Sequence, residues 1–238
     1  MPALPASVTA DLDLARRGTD YYDGLLRALS DADFDAPSLL PGWDRRHVVA
    51  HVGLNARALG RLVHWARTGV ETPMYASPAA RNAEIDEGAV VSPAALRELH
   101  RAEAAALDAA WREFPADRWH FPVRTAQGRT VPVSVTPWMR VREVWLHAVD
   151  LGSGGRFEDF PPELVDRLLV DITTWWTRSG TAAELTLTPT DRAVAGLAVS
   201  GPLTVTGTAA QLARWAAGRG GDDVTSGTGE PVVAPRWL

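Results

Sequence analysis

Hydrophobic and polar positions follow two different periods along this chain, one in each half. In the first half, apolar or small residues recur every three or four positions, the spacing of amphipathic helices. Ser-Pro and Thr-Pro pairs mark two helix starts, and Asp44 is a suitable N-cap for another. The four predicted helices run from Leu12 to Leu29, from Arg45 to about Arg67, from Ser92 to near Pro115, and from Thr136 to Gly152. Four long helices fit an antiparallel bundle.

The pattern changes after the flexible segment GSGG at positions 152–155. A helix from about Pro162 to Arg178 is followed by short alternating segments, which predict strands starting at Glu184, Leu197 and Leu203. The helical segment TAAQLARWAAGR comes next. We therefore predict two domains, a helical bundle over residues 1–153 and a small α+β domain over residues 154–238. The segment around Arg81 and the segment TAQGRTVPVSV are predicted as connections without regular structure.

Composition excludes several kinds of chemistry. The 238 residues include no cysteine and no lysine, and 24 arginines against 29 acidic residues give a net charge of −5. Disulfides, a thiolate nucleophile and sulfur ligands are excluded, so a metal must be held by His, Asp or Glu. A Schiff-base lysine and a phosphate-loop lysine are excluded as well, and anions must be bound by arginine.

Charge and hydropathy also limit the expected partners. The chain is mildly acidic and has no basic stripe, so nucleic acid is not an expected partner. The opening segment MPALPASVTADLDL lacks a basic region followed by an apolar stretch, and no apolar run approaches the ~18 residues of a membrane span. We expect a cytoplasmic monomer that acts on a small molecule and binds no membrane.

Two helices carry residues with metal-ligand spacing. Glu143 and His147 are four positions apart on the fourth helix, and His47 and His51 have the same spacing on the second. We favour His51 as the ligand because His47 lies in the first turns of its helix. Three nitrogen and oxygen ligands with one open position are typical of catalytic zinc, and the open position could bind a thiol. The alternative is that these histidines are ordinary hydrogen-bonded residues of helix faces.

Arginines are the candidates for binding a carboxylate. Arg140 lies close to the candidate ligands, Arg81 lies in a proline-bounded connection, and Arg219 lies where the last helix ends at a Gly-rich turn. For each of them the alternative is a solvated surface charge.

Four segments resemble the mycothiol-dependent maleylpyruvate isomerases, and together they span nearly the whole chain. They are LLPGWDRRHVVAHVGLNARAL, HWARTGVETPMYASPAARNAEI, TAQGRTVPVSVTPWMRVREVWLHAVDLG and AAGRGGDDVTSGTGEPVVAPRWL. The pattern GWxxxHxxAH alone would indicate only the wider DinB-like superfamily. The ETPMY, TAQGR and C-terminal segments narrow the resemblance to this family.

The resemblance implies a fold, a reaction and a set of site residues. The fold would be a DinB-like four-helix bundle with a small C-terminal α+β domain. Zinc would be bound by His51, Glu143 and His147, and Arg219 would be an essential catalytic residue that brings the second domain over the metal site. Arg81 and Arg140 would contact the cofactor mycothiol or the substrate. The reaction would be cis-trans isomerisation of maleylpyruvate to fumarylpyruvate in gentisate breakdown, by reversible addition of a zinc-activated mycothiol thiolate.

Two other functions remain open from the sequence. A mycothiol S-transferase would use the same metal and thiol but release the adduct without the elimination step. A noncatalytic domain that metal merely stabilises would bind the ion and turn nothing over.

Overall fold

A computed structural model describes residues 6–237. These residues fall into two compact units, one ending at Gly155 and the other beginning at Arg156. The first unit is a helical bundle with a small hairpin, and the second combines helices with a three-stranded sheet. The predicted fold class, a helical bundle followed by a small α+β part, is confirmed. The domain boundary after residue 153 stays a prediction.

Four long helices form the frame of the first unit, as the hydrophobic spacing predicts. They are α1 (Ala6–Ala28), α2 (Arg45–Thr68), α4 (Pro93–Arg112) and α5 (Thr136–Asp150), with a shorter α3 (Pro78–Ala89) between the second and third of them. Helix α2 is central, because it contacts α3, α4 and α5, and α1 packs on α5. The packing of α2 against α5 brings the two predicted ligand-bearing helices together.

Local signals determine where these helices begin and end. The Asp44 carboxylate accepts a hydrogen bond from the backbone N–H of His47, which caps the start of α2. Gly69, with φ of 81°, ends the same helix in the left-handed conformation that glycine adopts without strain. The Ser92 side chain caps α4 in the same way as Asp44 caps α2.

Two connections of the first unit contain regular structure that was not predicted. The segment around Arg81 forms α3, whose N-cap Ser77 accepts from the backbone N–H of Ala80. The predicted loop TAQGRTVPVSV follows β1 (Pro122–Arg124) and contains β2 (Thr130–Pro132), and the two strands pair as an antiparallel hairpin. The prediction of an irregular connection at both places is therefore wrong. Both elements are short, and their few buried side chains leave little hydrophobic periodicity to detect.

The second unit has α6 (Pro162–Ser179), β3 (Leu185–Pro189), β4 (Leu203–Gly207), α7 (Ala209–Ala216) and β5 (Thr225–Ser226). Strand β4 is central, with β3 parallel and β5 antiparallel to it. The strand predicted from Leu197 is wrong. The backbone N–H of Ala198 donates to Thr173 Oγ1 (3.2 Å), and its carbonyl accepts from Thr177 Oγ1 (2.9 Å). Two threonines of α6 thus satisfy the backbone groups that a strand would have paired.

No helix within residues 6–237 is long and apolar enough to cross a membrane.

Candidate metal centre

The three residues predicted to bind zinc lie together in the first unit. Nε2 of His51 on α2 is 2.9 Å from Oε2 of Glu143 on α5, and Nε2 of His147 is 3.3 Å from the same oxygen. One donor atom from each residue lies within 4.8 Å of the other two. Tetrahedral zinc with bonds of roughly 2.0–2.2 Å separates its ligand atoms by about 3.3 Å, which is close to the two distances from the Glu143 oxygen.

Helix geometry explains why these side chains converge. Glu143 and His147 are one turn apart on α5 and project from the same face. His51 lies almost two turns inside α2, where neighbouring backbone is already in regular hydrogen bonds and the ring is almost completely buried. All three donors are therefore held by regular helix rather than by loops.

The electrostatics of the cluster favour an ionised Glu143. Burial opposes ionisation, but hydrogen bonds from His147 and His51 outweigh it and hold the pKa of Glu143 well below its ordinary value. Burial also lowers the pKa of His51, which favours the neutral imidazole that metals require. An ionised carboxylate beside a neutral imidazole is a suitable donor set for a divalent cation.

The second histidine of the cluster is oriented by a buried carboxylate. Nδ1 of His147 lies 2.9 Å from Oδ2 of Asp150, whose side chain is completely buried. Hydrogen bonds to Asp150 and Glu143 outweigh burial and raise the pKa of His147. When Nδ1–H donates to a carboxylate, the ring presents Nε2 to the metal, an arrangement common among zinc ligands. The residues present therefore fit a divalent metal ion.

His47 is one turn away from the cluster and is held elsewhere. Its Nδ1 lies 2.6 Å from Oδ1 of Asp44, the same carboxylate that caps α2. His47 is therefore part of the helix cap rather than of the ligand group.

Arg81 lies next to the cluster. Its Nη2 is 3.4 Å from Nδ1 of His51, although the residue belongs to α3 and not to an irregular connection. The packing of α3 against α2 brings this guanidinium to Nδ1 of His51, whereas Nε2 of the same ring lies next to Glu143. An anionic ligand at the cluster would meet this positive charge.

Arg140 has a different environment. It is buried in the bundle, where its Nη1 donates to the carbonyl of Val52 (2.7 Å) and to Oδ1 of Asn55 (3.2 Å). Burial lowers its pKa to about 10. These bonds tie α5 to α2 directly beside the ligand residues, so the geometry favours positioning of the cluster. Its contact with a cofactor stays a prediction.

Arg219 belongs to the second unit and lies on a turn after α7. Gly218 and Gly220, with φ of 74° and 105°, flank it. Its Nη1 donates to the carbonyl of Ala217 at 2.6 Å. The side chain is partly exposed, and its role in catalysis stays a prediction.

Two residues of this site were missed from the sequence. Asp150 carries a usable signal, because it follows His147 by three positions on the same helix. Tyr75 carries none. Burial and, after it, the charge of Glu143 raise the pKa of Tyr75 to about 12, an effect that depends on how the segment around Tyr75 packs.

The bundle and its cluster define a helical protein with a candidate catalytic metal centre, followed by a small α+β unit. The N-terminal domain family of mycothiol maleylpyruvate isomerases matches residues 15–152, more than half of the chain. The chain therefore belongs to the mycothiol-dependent maleylpyruvate isomerases, a family of enzymes.

Solved structures agree with this assignment. A crystal structure of a mycothiol-dependent maleylpyruvate isomerase is 48% identical, covers 98% of both chains and superposes with a TM-score of 0.91. A histidine-to-alanine mutant of such an isomerase is also 48% identical over 98% of both chains, with a TM-score of 0.90. No curated protein sequence matches the chain.

Proposed function

We propose that this enzyme isomerises maleylpyruvate to fumarylpyruvate, with mycothiol as the thiol and zinc at the cluster of His51, Glu143 and His147. The observation that carries the proposal is this cluster of three metal-type donors in a chain without cysteine. A protein with no thiol of its own needs an external one for thiol chemistry. The 48% identity over nearly the whole of an isomerase named for mycothiol supports that choice.

The donor set fits a catalytic zinc site better than a structural zinc site. Two imidazoles and one carboxylate leave one position open, whereas structural zinc sites close all four positions with protein. When bound, zinc would lower the pKa of the mycothiol thiol. Addition of the thiolate would turn the cis double bond of maleylpyruvate into a single bond that can rotate, and its elimination would restore the double bond in the trans form.

The chain's own residues provide orientation and charge. Glu143 stays ionised near neutral pH, and Asp150 fixes the ring of His147 through Nδ1. Arg140 holds the segment of α2 that follows His51 through the carbonyl of Val52. Arg81, beside His51, can offset the negative charge that gathers as an anionic substrate and a thiolate approach.

Arg219 is proposed as the residue that binds a substrate carboxylate or stabilises the negative charge that develops on the substrate when the thiolate adds to it. A guanidinium on a Gly-rich turn can present two parallel N–H groups to a carboxylate. We assign the metal centre to the N-terminal domain and this arginine to the C-terminal domain. The cytoplasmic location, the monomeric state and a place in gentisate breakdown stay predictions.

The test is a three-arm assay that follows the absorbance of enzymatically made maleylpyruvate. We expect turnover with mycothiol, none without thiol and little with glutathione, while the concentration of free mycothiol stays constant. Stoichiometric loss of free mycothiol would instead identify the S-transferase. No turnover by the zinc-loaded enzyme in any arm would overturn the proposed function.

A further inference from the structure

An open cleft of about 570 Å³ lies in the first unit beside the metal cluster. One wall is the segment 71–78, and the other is Arg124 with the β1–β2 turn at positions 125–128. These walls contain ETPMY and part of TAQGR, two of the segments that narrow the family resemblance. Two stretches about 50 residues apart in the chain thus form one concave surface. The volume of the cleft is in the range of small-molecule sites.

Two residues connect this cleft with the cluster. Arg81 lines the cleft, and its Nη2 lies 3.4 Å from Nδ1 of His51. Tyr75 also lines the cleft, and its pKa is raised by burial and, after it, by the charge of Glu143. A ligand that reaches the cluster with one end can therefore extend into the cleft with the other.

Hydrogen bonds hold both walls in place. In the turn, the backbone N–H of Thr125 donates to the carbonyl of Arg129, and that of Gly128 donates to the carbonyl of Thr125, both at 2.9 Å. On the opposite wall, Nη1 of Arg61 on α2 donates to the carbonyl of Met74 at 2.5 Å. The cleft is preformed, which reduces the entropy lost on binding.

Arg81 lies at the end of the cleft next to His51, and the rest of the lining suits a neutral, polyhydroxylated group. Ser77, Thr125 and Gln127 supply hydroxyl and amide groups that can both donate and accept hydrogen bonds. The charge of Arg124 is partly offset by Glu71, 3.7 Å away. The small dicarboxylate substrate offers almost no hydroxyl groups for such a lining, and it would fill only part of the space. Mycothiol carries its thiol on a much larger amino-sugar and cyclitol group.

We propose that this cleft binds the sugar part of mycothiol, with Arg124 and Gln127 as specificity-determining residues. The proposal rests on the proposed function, and it names where the thiol cosubstrate is recognised. Both side chains are exposed, Arg124 at the end of β1 and Gln127 in the turn that follows, so their truncation should leave the fold intact.

The kinetic test compares Arg124→Ala and Gln127→Ala with Arg129→Ala, an exposed arginine of the same hairpin that does not line the cleft. We expect KM for mycothiol to rise about 10-fold in the Arg124 variant and about 3-fold in the Gln127 variant, with KM for maleylpyruvate unchanged. The Arg129 variant should match the wild type. With N-acetylcysteine, which lacks the sugar, the differences in KM for the thiol should disappear. An increase in KM for maleylpyruvate alone would assign the cleft to the substrate and overturn the proposal.

A binding measurement separates this proposal from the proposed function. S-methyl mycothiol has no free thiol, so calorimetric titration of zinc-loaded protein reports recognition without turnover. We expect binding by the wild type and the Arg129 variant, and weaker binding by the other two. If the wild type binds this ligand but isomerises nothing, the proposed function fails while the cleft assignment stands. Equal affinity in all four proteins, or no binding by the wild type, would overturn the cleft assignment.

Discussion

Nδ1 of His147 lies 2.9 Å from Oδ2 of Asp150, a fully buried carboxylate one turn further along α5. This pair determines which nitrogen of His147 is available to a metal. Because the orienting group and the ligand belong to one helix, the arrangement is a local property of the segment HAVD and needs no support from a loop.

Replacing Asp150 with Asn should weaken metal binding while keeping the volume of the side chain. We expect the affinity for zinc to fall about 10- to 100-fold, because the ring loses the charged partner that fixes its orientation. Competition with a chromophoric chelator measures the change. Asp13→Asn, an exposed residue of α1, is the control and should bind zinc like the wild type. Unchanged affinity in the Asp150 variant would contradict the orienting role.

Zinc content tests the ligand assignment directly. After expression with supplemented zinc we expect one ion per chain, lost in His51→Ala and Glu143→Ala. His47→Ala, one turn away on α2 and bonded to Asp44, should retain the metal and so controls for general damage to the helix. Elemental analysis of purified protein decides the matter. Wild-type protein without stoichiometric divalent metal would refute the assignment.

The pairing of Glu143 with His147 on one helix face was predictable because their spacing is local, whereas the surroundings of the cluster were not. Glu143 and His147 lie one turn apart in any helix, and caps such as Asp44 and Ser92 place the helices along the chain. The closeness of Arg81 and Tyr75 to this cluster depends on how α3 and the segment before it pack. No pattern within a single element contains that information.

The errors in the secondary structure have equally specific causes. Helix α3 begins with the same Ser-Pro signal as α4, but it buries only Ile85 and Ala89, too little for a clear hydrophobic stripe. The segment from Leu197 has strand-like alternation, yet Thr173 and Thr177 bind its backbone. Tertiary hydrogen bonds outweighed local propensity there.

Two glycines of α1 should respond in opposite directions to replacement by alanine. A Cβ at Gly18 would lie 2.5 Å from Cγ2 of Val144 on α5, whereas a Cβ at Gly24 meets nothing within 4 Å. We expect Gly18→Ala to destabilise the bundle by about 1–3 kcal/mol through overpacking, and Gly24→Ala to stabilise it by about 1 kcal/mol through helix propensity. Thermal melts followed by helical circular dichroism test both. Equal melting temperatures for the two variants would mean that α1 does not pack this closely on α5.

His100 should make stability depend on pH. Burial lowers its pKa in the folded protein, although its Nε2 lies 2.7 Å from Oδ1 of Asp23. As the pH falls below the ordinary value of 6.5, the unfolded imidazole binds a proton before the folded one, so stability falls in that window. In His100→Gln this contribution is absent. We expect the variant to lose less thermal stability than the wild type as the pH falls below 6.5, whereas the exposed control His64→Gln should follow the wild type. Parallel profiles for wild type and His100→Gln would contradict the assignment.

Replacing Arg219 with Ala should reduce turnover strongly and leave zinc content and folding nearly intact. The residue lies on a Gly-rich turn after α7 with its side chain partly exposed, and its Nη1 donates to the carbonyl of Ala217. Loss of a charge-assisted hydrogen bond to developing charge should cost about 10²-fold or more in kcat. Arg219→Lys should recover only part of the rate, because a lysine keeps the charge but loses the fork of parallel N–H groups. Arg178→Ala, at an exposed position near the end of α6, is the matched control and should behave as wild type. If Arg219→Ala keeps the wild-type kcat and KM, the carboxylate must be bound elsewhere, and Arg81, 3.4 Å from His51, becomes the first residue to replace.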